Sequence, residues 1–115
     1  MLKTLLSALL ITFLVGCASI PQVTLLEGAN NVRVGKMDAL DSFQDIGPIS
    51  VEDGEGCGGF GYQGTYDRAM TLLKNKAFKM GADYVQIFTV SEPYSATSSC
   101  FVNLYKISGT AYKKK

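Results

Sequence analysis

The stretch TYDRAMTLLKNKAFKMGADYVQIFTV, which covers Thr65–Val90, decides the fold of this chain. Up to Met80, apolar residues recur at spacings of three and four while charged and amide residues occupy the other positions, which predicts an amphipathic helix. The side predicted to be buried consists of Tyr66, Ala69, Met70, Leu73, Ala77 and Met80. Thr65 is a suitable N-cap, and Gly81 suits the left-handed position that ends a helix. From Tyr84 onward, most residues are β-branched or aromatic and predict a strand. The stretch therefore predicts a helix that leads directly into a strand.

Three extended segments precede this helix and one follows the strand. They are Val23–Leu26, Asn31–Val34, Phe43–Val51 and Phe101–Tyr112. Gly47-Pro48 predicts a bulge or an edge position, because proline cannot donate a hydrogen bond to a neighbouring strand, and Gly109 is a candidate for a second bulge. Glu92–Ser99 is read as a connecting loop. The order of strands, helix and strands predicts an α+β domain, with a small antiparallel or mixed sheet and one helix packed on one face.

The first seventeen residues have the pattern of a secretory signal. Lys3 provides a positive start, and Leu5–Val15 is an apolar run that is too short for a membrane span of roughly twenty residues. The run ends in Leu14-Val15-Gly16-Cys17, which resembles the lipobox of bacterial lipoproteins. The alternative is a buried apolar helix whose cysteine is incidental.

The lipobox resemblance implies that residues 1–16 are removed and that Cys17 is acylated. Attachment through two or more acyl chains is stable, whereas a single chain binds only marginally. Ala18 and Ser19 stand where lipoproteins retained in the inner membrane tend to carry an aspartate, which implies that the protein is anchored in the outer membrane and faces the periplasm. Residues 17–22 then form a short tether, and residues 23–115 form a single α+β domain of 93 residues.

The charge balance gives no reason to expect nucleic acid as a partner. The full chain has a net charge of +1 and loses Lys3 with its signal, so the mature chain is formally neutral. The basic Lys113–Lys115 tail either touches anionic head groups or is a solvated terminus.

Two cysteines remain in the domain once Cys17 carries lipid. Cys57 and Cys100 allow one pairing, and an oxidising periplasm favours a disulfide between them. Loop-closure entropy gives such a bridge roughly 4 kcal/mol of stabilisation. A redox-active pair is the alternative, although the two cysteines form no C-x-x-C motif. We expect the bond to hold the glycine-rich loop against the sheet.

The glycine-rich loop Gly54–Gly64 contains the pattern G-x-G-x-x-G twice. A dinucleotide site requires this pattern within a parallel βαβ unit, which the surrounding sequence does not predict. We therefore expect no nucleotide and no other cofactor. Phe60 and Tyr62 are candidate partner-contact residues, and the alternative is that they fold back onto the core.

The residues needed for common catalytic sites are missing. The chain has no histidine, which excludes Ser-His-Asp and Cys-His catalysis and all histidine metal sites. Glu52, Asp53 and Glu55 lack the spacing of a calcium-binding EF-hand loop and are read as a solvated acidic turn. We predict neither an enzyme nor a metal site.

Three segments carry a wider family resemblance. They are Leu26–Val34, the helix-to-strand passage Leu73–Val85 and the ending Gly109-Thr110-Ala111-Tyr112. They resemble a family of small outer-membrane lipoproteins that carry a domain of unknown function. This family is similar to the periplasmic domain of the Rcs stress-sensor lipoprotein RcsF. RcsF has a long proline-rich linker and four domain cysteines, whereas this chain has a short tether and only Cys57 and Cys100. The resemblance implies a disulfide-stabilised α+β domain that acts by protein contact close to the outer membrane.

Two functions follow as hypotheses. The first is a non-enzymatic, periplasm-facing lipoprotein that binds a protein or another envelope component, either as a sensor of envelope stress or as an accessory subunit. The second is a small-ligand or lipid-binding lipoprotein that uses an aromatic face of Tyr84, Phe88, Phe101 and Tyr105. Ordinary sheet packing is the third explanation of those aromatics. A pocket of at least about 300 Å³ would favour the ligand.

Overall fold

The computed structural model describes residues 20–57, 61–97 and 100–115. Cys17, its signal and Phe60 lie outside the described residues. Among the described residues, the first element is a 3-10 turn at Ala29–Asn31, and the helix α1 follows at Tyr66–Met80. The strands are β1 Arg33–Gly35, β2 Phe43–Asp53, β3 Tyr84–Ser91, β4 Tyr94–Thr97, β5 Cys100–Val102 and β6 Tyr105–Lys114. The predicted α+β class is confirmed.

Four strands form the main sheet, in the order β1-β3-β6-β2. β1 runs parallel to β3, whereas β6 runs antiparallel to both β3 and β2, so the sheet is mixed. β4 and β5 form a separate two-stranded antiparallel sheet. β1 and β2 are therefore the two edges of the main sheet, and β1 is much the shorter.

Helix α1 has the predicted ends. The Oγ1 atom of Thr65 accepts a hydrogen bond from the backbone N–H of Arg68 at 3.3 Å. Gly81 has a φ of 82°, in the left-handed region, and its N–H donates to the carbonyl of Phe78 at 3.0 Å. These local signals fix the length of the helix.

The core lies between α1 and one face of the main sheet. The helix contributes Ala69, Leu73 and Ala77, each fully buried. They pack against Val32, which lies just before β1, and against buried strand residues, which include Ile49, Val51, Val85, Ile107 and Ala111. The predicted buried side of the helix is confirmed at these three positions, while Tyr66 at its start is half exposed.

Two expectations about the strands before the helix are corrected. Val23–Leu26 lies outside the sheet and runs along α1, because the side chain of Asn75 accepts from the N–H of Leu26 at 2.8 Å and donates to the carbonyl of Thr24 at 2.9 Å. The strand expected at Asn31–Val34 begins two residues later, because the 3-10 turn extends to Asn31.

The C-terminal region also differs from the expectation. The predicted loop Glu92–Ser99 contains strand β4, and the predicted strand Phe101–Tyr112 is divided between β5 and β6. Asn103 causes the division, because its backbone and side chain bind the glycine-rich loop instead of a neighbouring strand. Its N–H donates to the carbonyl of Gly56 at 3.3 Å, and its Nδ2 donates to that of Glu55 at 3.1 Å.

The bulge predicted at Gly47-Pro48 is confirmed, since the register of β2 against β6 shifts between Asp45 and Gly47, and β2 is an edge strand. The second bulge lies in β3, between Ile87 and Thr89, and not at Gly109 itself. Gly109 is the partner residue opposite this bulge, where a Cβ atom would overlap the carbonyl oxygen of Gln86. The predicted bulge therefore lies opposite Gly109, on β3, and not on β6, the strand that contains Gly109.

Candidate functional site

Cys57 and Cys100 form the predicted disulfide, with their Cα atoms 5.2 Å apart across 43 residues of sequence. Cys57 also pairs as an isolated antiparallel bridge with Val102. The bond therefore joins the glycine-rich loop to the small β4–β5 sheet. The expectation that it holds the loop against the main sheet is corrected, because β5 and β6 are separate strands.

Tyr62 is the candidate contact residue that the structure describes, and it lies against the start of the helix. The guanidinium carbon of Arg68 is 5.4 Å from the centre of its ring, within the range of a cation–π contact. Its carbonyl accepts from the N–H of Glu55 at 2.9 Å, and its side chain is half-buried. Phe60, the second candidate, lies outside the described residues, so a contact role for the pair stays a prediction.

The acidic cluster is dispersed in the fold. Asp53 is 1% exposed, while Glu52 and Glu55 are exposed. The Oδ2 atom of Asp53 accepts from the N–H of Thr65 at 2.8 Å and from the Nε of Arg68 at 3.0 Å. This carboxylate therefore supports the start of the helix. Within 20–57, 61–97 and 100–115, no group of three His, Cys, Asp or Glu residues could hold a metal ion.

The four aromatics proposed as one ligand-binding face lie on different surfaces. Tyr84 pairs across the sheet with Tyr112, and their rings are 6.2 Å apart. The positions of Tyr105 and Tyr112 on β6 differ by an odd number, so Tyr105 lies on the opposite face, with its ring 6.0 Å from that of Tyr66. Phe88 and Phe101 are exposed. The predicted aromatic face does not form.

Burial is the main cause that raises the pKa of two of these tyrosines. For Tyr84, the carboxylate of Asp38 and then the hydroxyl of Tyr112 raise the pKa further. For Tyr105, Glu92 and then Tyr66 act in the same direction. The protonated hydroxyl of Tyr84 donates a hydrogen bond to the carbonyl of Met37 at 2.5 Å.

An open groove runs along the β1 side of the molecule, and we call it the edge groove. Its first half has a volume of about 690 Å³ and lies between β1, residues 37–40 and the α1 side chains of Tyr66, Met70 and Lys74. Its second half, of about 730 Å³, lies between Tyr66, Lys36, Ile87, Val90–Glu92 and Tyr94. Tyr66 borders both halves, which therefore adjoin each other, and both are open to solvent.

The edge groove combines exposed apolar side chains with a few charges. Met37 and Leu40 are 82% and 69% exposed, and Tyr66 is 50% exposed. Lys36 and Glu92 are the charged residues of the second half. Among the described residues, neither of them forms an ion pair. Such a surface can bind apolar side chains and can select for charge at its ends.

Sequence reasoning did not find this groove. The periodicity assigned Tyr66 to the buried side of the helix, whereas the structure leaves it half exposed beside the groove, together with Lys36, which follows the end of β1. No local signal predicts that arrangement, since it depends on which strands pair.

None of the helices in the described part of the chain is long and apolar enough to cross a membrane. Comparison with family models, with curated proteins and with solved structures finds no match for this chain.

Proposed function

We propose that this chain is a non-enzymatic outer-membrane lipoprotein that faces the periplasm and binds a protein or another envelope component through the edge groove. The anchoring part of the proposal rests on the sequence of residues 1–17, and in particular on the lipobox-like position of Cys17. The binding part rests on the groove itself.

One observation supports the binding role. The edge groove is an open surface, and its apolar side chains are not covered by any other described residue. Tyr66 and Tyr94 border the second half of the groove, and both are half exposed. Tyrosine is enriched in protein interfaces because it combines a large apolar area with a hydrogen-bonding hydroxyl. A lipid-anchored domain that holds a partner there is placed to report changes in that partner, and we propose envelope-stress sensing as its role.

The alternative function is the binding of a small ligand or a lipid. The volume of each half of the groove exceeds the roughly 300 Å³ from which ligand sites begin. Ligand sites, however, bury about 70–90% of the ligand's surface, whereas both halves of the groove are open along one side. The open shape favours a chain-like partner that lies along the groove over a ligand that is enclosed.

Photo-crosslinking in intact envelopes tests the proposal. A photoreactive phenylalanine analogue replaces Val90 in the groove, Tyr62 in the glycine-rich loop, or Glu52 on the far edge strand. We expect a discrete protein adduct from the Val90 position, which the additional substitution Tyr66→Ala weakens, and no such adduct from the exposed control position Glu52.

An adduct from the Tyr62 position alone would place the contact in the loop, where the sequence predicted it. In that case Phe60→Ser with Tyr62→Ser should weaken chemical crosslinking of the otherwise unchanged protein to that partner without lowering the melting temperature, because a surface hot spot contributes to binding and little to folding. A small molecule that is retained by the purified protein and is released by Tyr66→Ala would favour the ligand-binding alternative.

A further inference from the structure

One strand position in the main sheet is vacant. β1 pairs with β3 only over Tyr84–Gln86, whereas β3 continues to Ser91 and remains paired on its other side with β6 as far as Lys106. The outer side of residues 87–91 therefore has no strand partner within the described part of the chain. An unpaired edge presents backbone N–H and C=O groups that can bind another extended chain.

The second half of the edge groove lies at this vacant position. Ile87, Val90 and Ser91 of β3 line it, and Tyr66 and Tyr94 stand beside it. A neighbouring strand would lie about 4.8 Å from β3. The groove thus lies where a strand that continues the line of β1 would lie.

The two edges of the sheet differ in how they are protected. β2, on the far side, carries Pro48 and a bulge between Asp45 and Gly47, which are features that discourage pairing with another strand. The vacant edge of β3 contains neither proline nor any charged residue over Ile87–Ser91. Its own bulge ends at Thr89, and Thr89–Ser91 is regularly paired with β6. These three residues are a regular edge that the sequence does not protect.

The ends of the vacant position carry opposite charges. Lys36 lies at the end where β1 stops, and Glu92 lies directly after β3. A peptide with an acidic residue near Lys36 and a basic residue near Glu92 complements both. Apolar side chains at alternate positions of the same peptide would face Tyr66 and Val90.

We propose that an extended peptide segment of the partner protein adds to the main sheet beside Thr89–Ser91, in line with β1. Backbone hydrogen bonds to the β3 edge provide the affinity, and the side chains that meet Tyr66 and the two charges provide the specificity. This inference rests on the proposed function, since it names the way in which a protein partner occupies the edge groove.

Two synthetic probes test the inference on the intact protein in mild detergent. The first is acetyl-Asp-Val-Thr-Val-Thr-Val-Lys-amide, and the second is the same peptide methylated at every internal amide nitrogen. We expect the first peptide to slow the exchange of backbone amide hydrogens severalfold within residues 89–91, as measured by NMR. The methylated peptide should have no effect, because it cannot donate to the β3 carbonyls and its methyl groups keep its backbone from approaching the β3 edge as closely as a paired strand. Lys36→Glu should weaken the effect of the first peptide, whereas Lys113→Glu, at the other end of the sheet, should not.

Three outcomes would overturn the inference. The first is no slowing with either peptide. The second is equal slowing with both, which would mean that side chains adsorb without strand pairing. The third is slow exchange at residues 89–91 without any peptide, together with sedimentation as a dimer, which would mean that a second copy fills the position. A crosslink from the Val90 position that persists in any of these cases would leave the proposed function standing while this mode of binding fails.

Discussion

The guanidinium of Arg68 and the carboxylate of Asp53 connect the start of the helix to the end of strand β2. The Nε atom of Arg68 lies 3.0 Å from Oδ2 and 3.3 Å from Oδ1 of Asp53, and this carboxylate is almost fully buried. The same guanidinium donates through a terminal nitrogen to the carbonyl of Gln63 at 2.7 Å. One ion pair therefore positions the end of the glycine-rich loop, the first turn of α1 and the sheet relative to one another.

Asp53→Ala should lower the free energy of unfolding by about 2–3 kcal/mol. The substitution leaves a partly buried guanidinium without its partner and removes the acceptor of the Thr65 N–H. Urea denaturation measures the change. Glu52→Ala is the matched control, because the neighbouring carboxylate forms only an exposed pair with Lys106 at 3.8 Å, and it should change stability by less than about 0.5 kcal/mol. Equal costs for the two substitutions would contradict a special role for Asp53.

The disulfide should be a structural bond. Cys57→Ala or Cys100→Ala should each cost about 2–5 kcal/mol, and the double substitution should cost about as much as either one, because all three variants remove the same bond. Chemical denaturation without reductant measures these costs. Protein taken directly from the envelope should show no free thiol at these positions until it is denatured and reduced; reactive thiols in the native protein would instead favour the redox-active alternative.

Gly109→Ala should destabilise the sheet by about 1–3 kcal/mol, because the added methyl group would overlap the carbonyl oxygen of Gln86 where β3 bulges. The neighbouring substitution Thr110→Ala, on the same strand, tests whether any change of side chain there has this effect, and it should cost less than about 1 kcal/mol. Thermal and urea unfolding of both variants provide the comparison. A stable Gly109→Ala variant would mean that β3 can move away from β6 at little cost.

The parts of the fold that local chemistry determines could be predicted from the sequence. The ends of α1 follow from Thr65 and Gly81, which act on their own turn of backbone, and the bulge in β2 follows from Gly47-Pro48. The parts that depend on distant pairing could not. The local sequence predicts that Asn103 is a strand residue. In the structure, its hydrogen bonds are instead made with the glycine-rich loop, which is distant in sequence.

The candidate site was less predictable for the same reason. The disulfide followed from counting cysteines, whereas the second half of the edge groove lies where β1 has ended at Gly35 while β3 continues to Ser91. That difference in length becomes visible only when the two strands are placed side by side. Tyr66 is half exposed beside this groove, although its spacing along the helix matches that of buried residues.

The protein should lose stability in alkaline solution through its buried tyrosines. The pKa of Tyr105 is raised in the folded state, first by burial and then by Glu92 and Tyr66. The stability that its protonated hydroxyl contributes is therefore fully present below the unfolded pKa of about 10 and is lost as the pH rises through the folded pKa. Denaturation at increasing pH, with tyrosinate absorbance followed in parallel, measures the loss. Tyr105→Phe should make the decline shallower, and an unchanged decline would assign it to other groups.

The proposed lipid anchor is tested by changing Cys17 and its neighbour separately. Cys17→Ser removes the thiol to which lipid would attach, so the variant should accumulate as an unprocessed or mislocalised precursor. Ala18→Asp keeps the thiol and should still be processed, but it should move the protein to the inner membrane, where lipoproteins with an aspartate at this position tend to be retained. Cell fractionation with immunoblotting distinguishes precursor from mature chain in each membrane. Because stable attachment requires two or more acyl chains, a mature-length Cys17→Ser protein in the outer membrane would show that the chain is held there by something other than lipid on this residue.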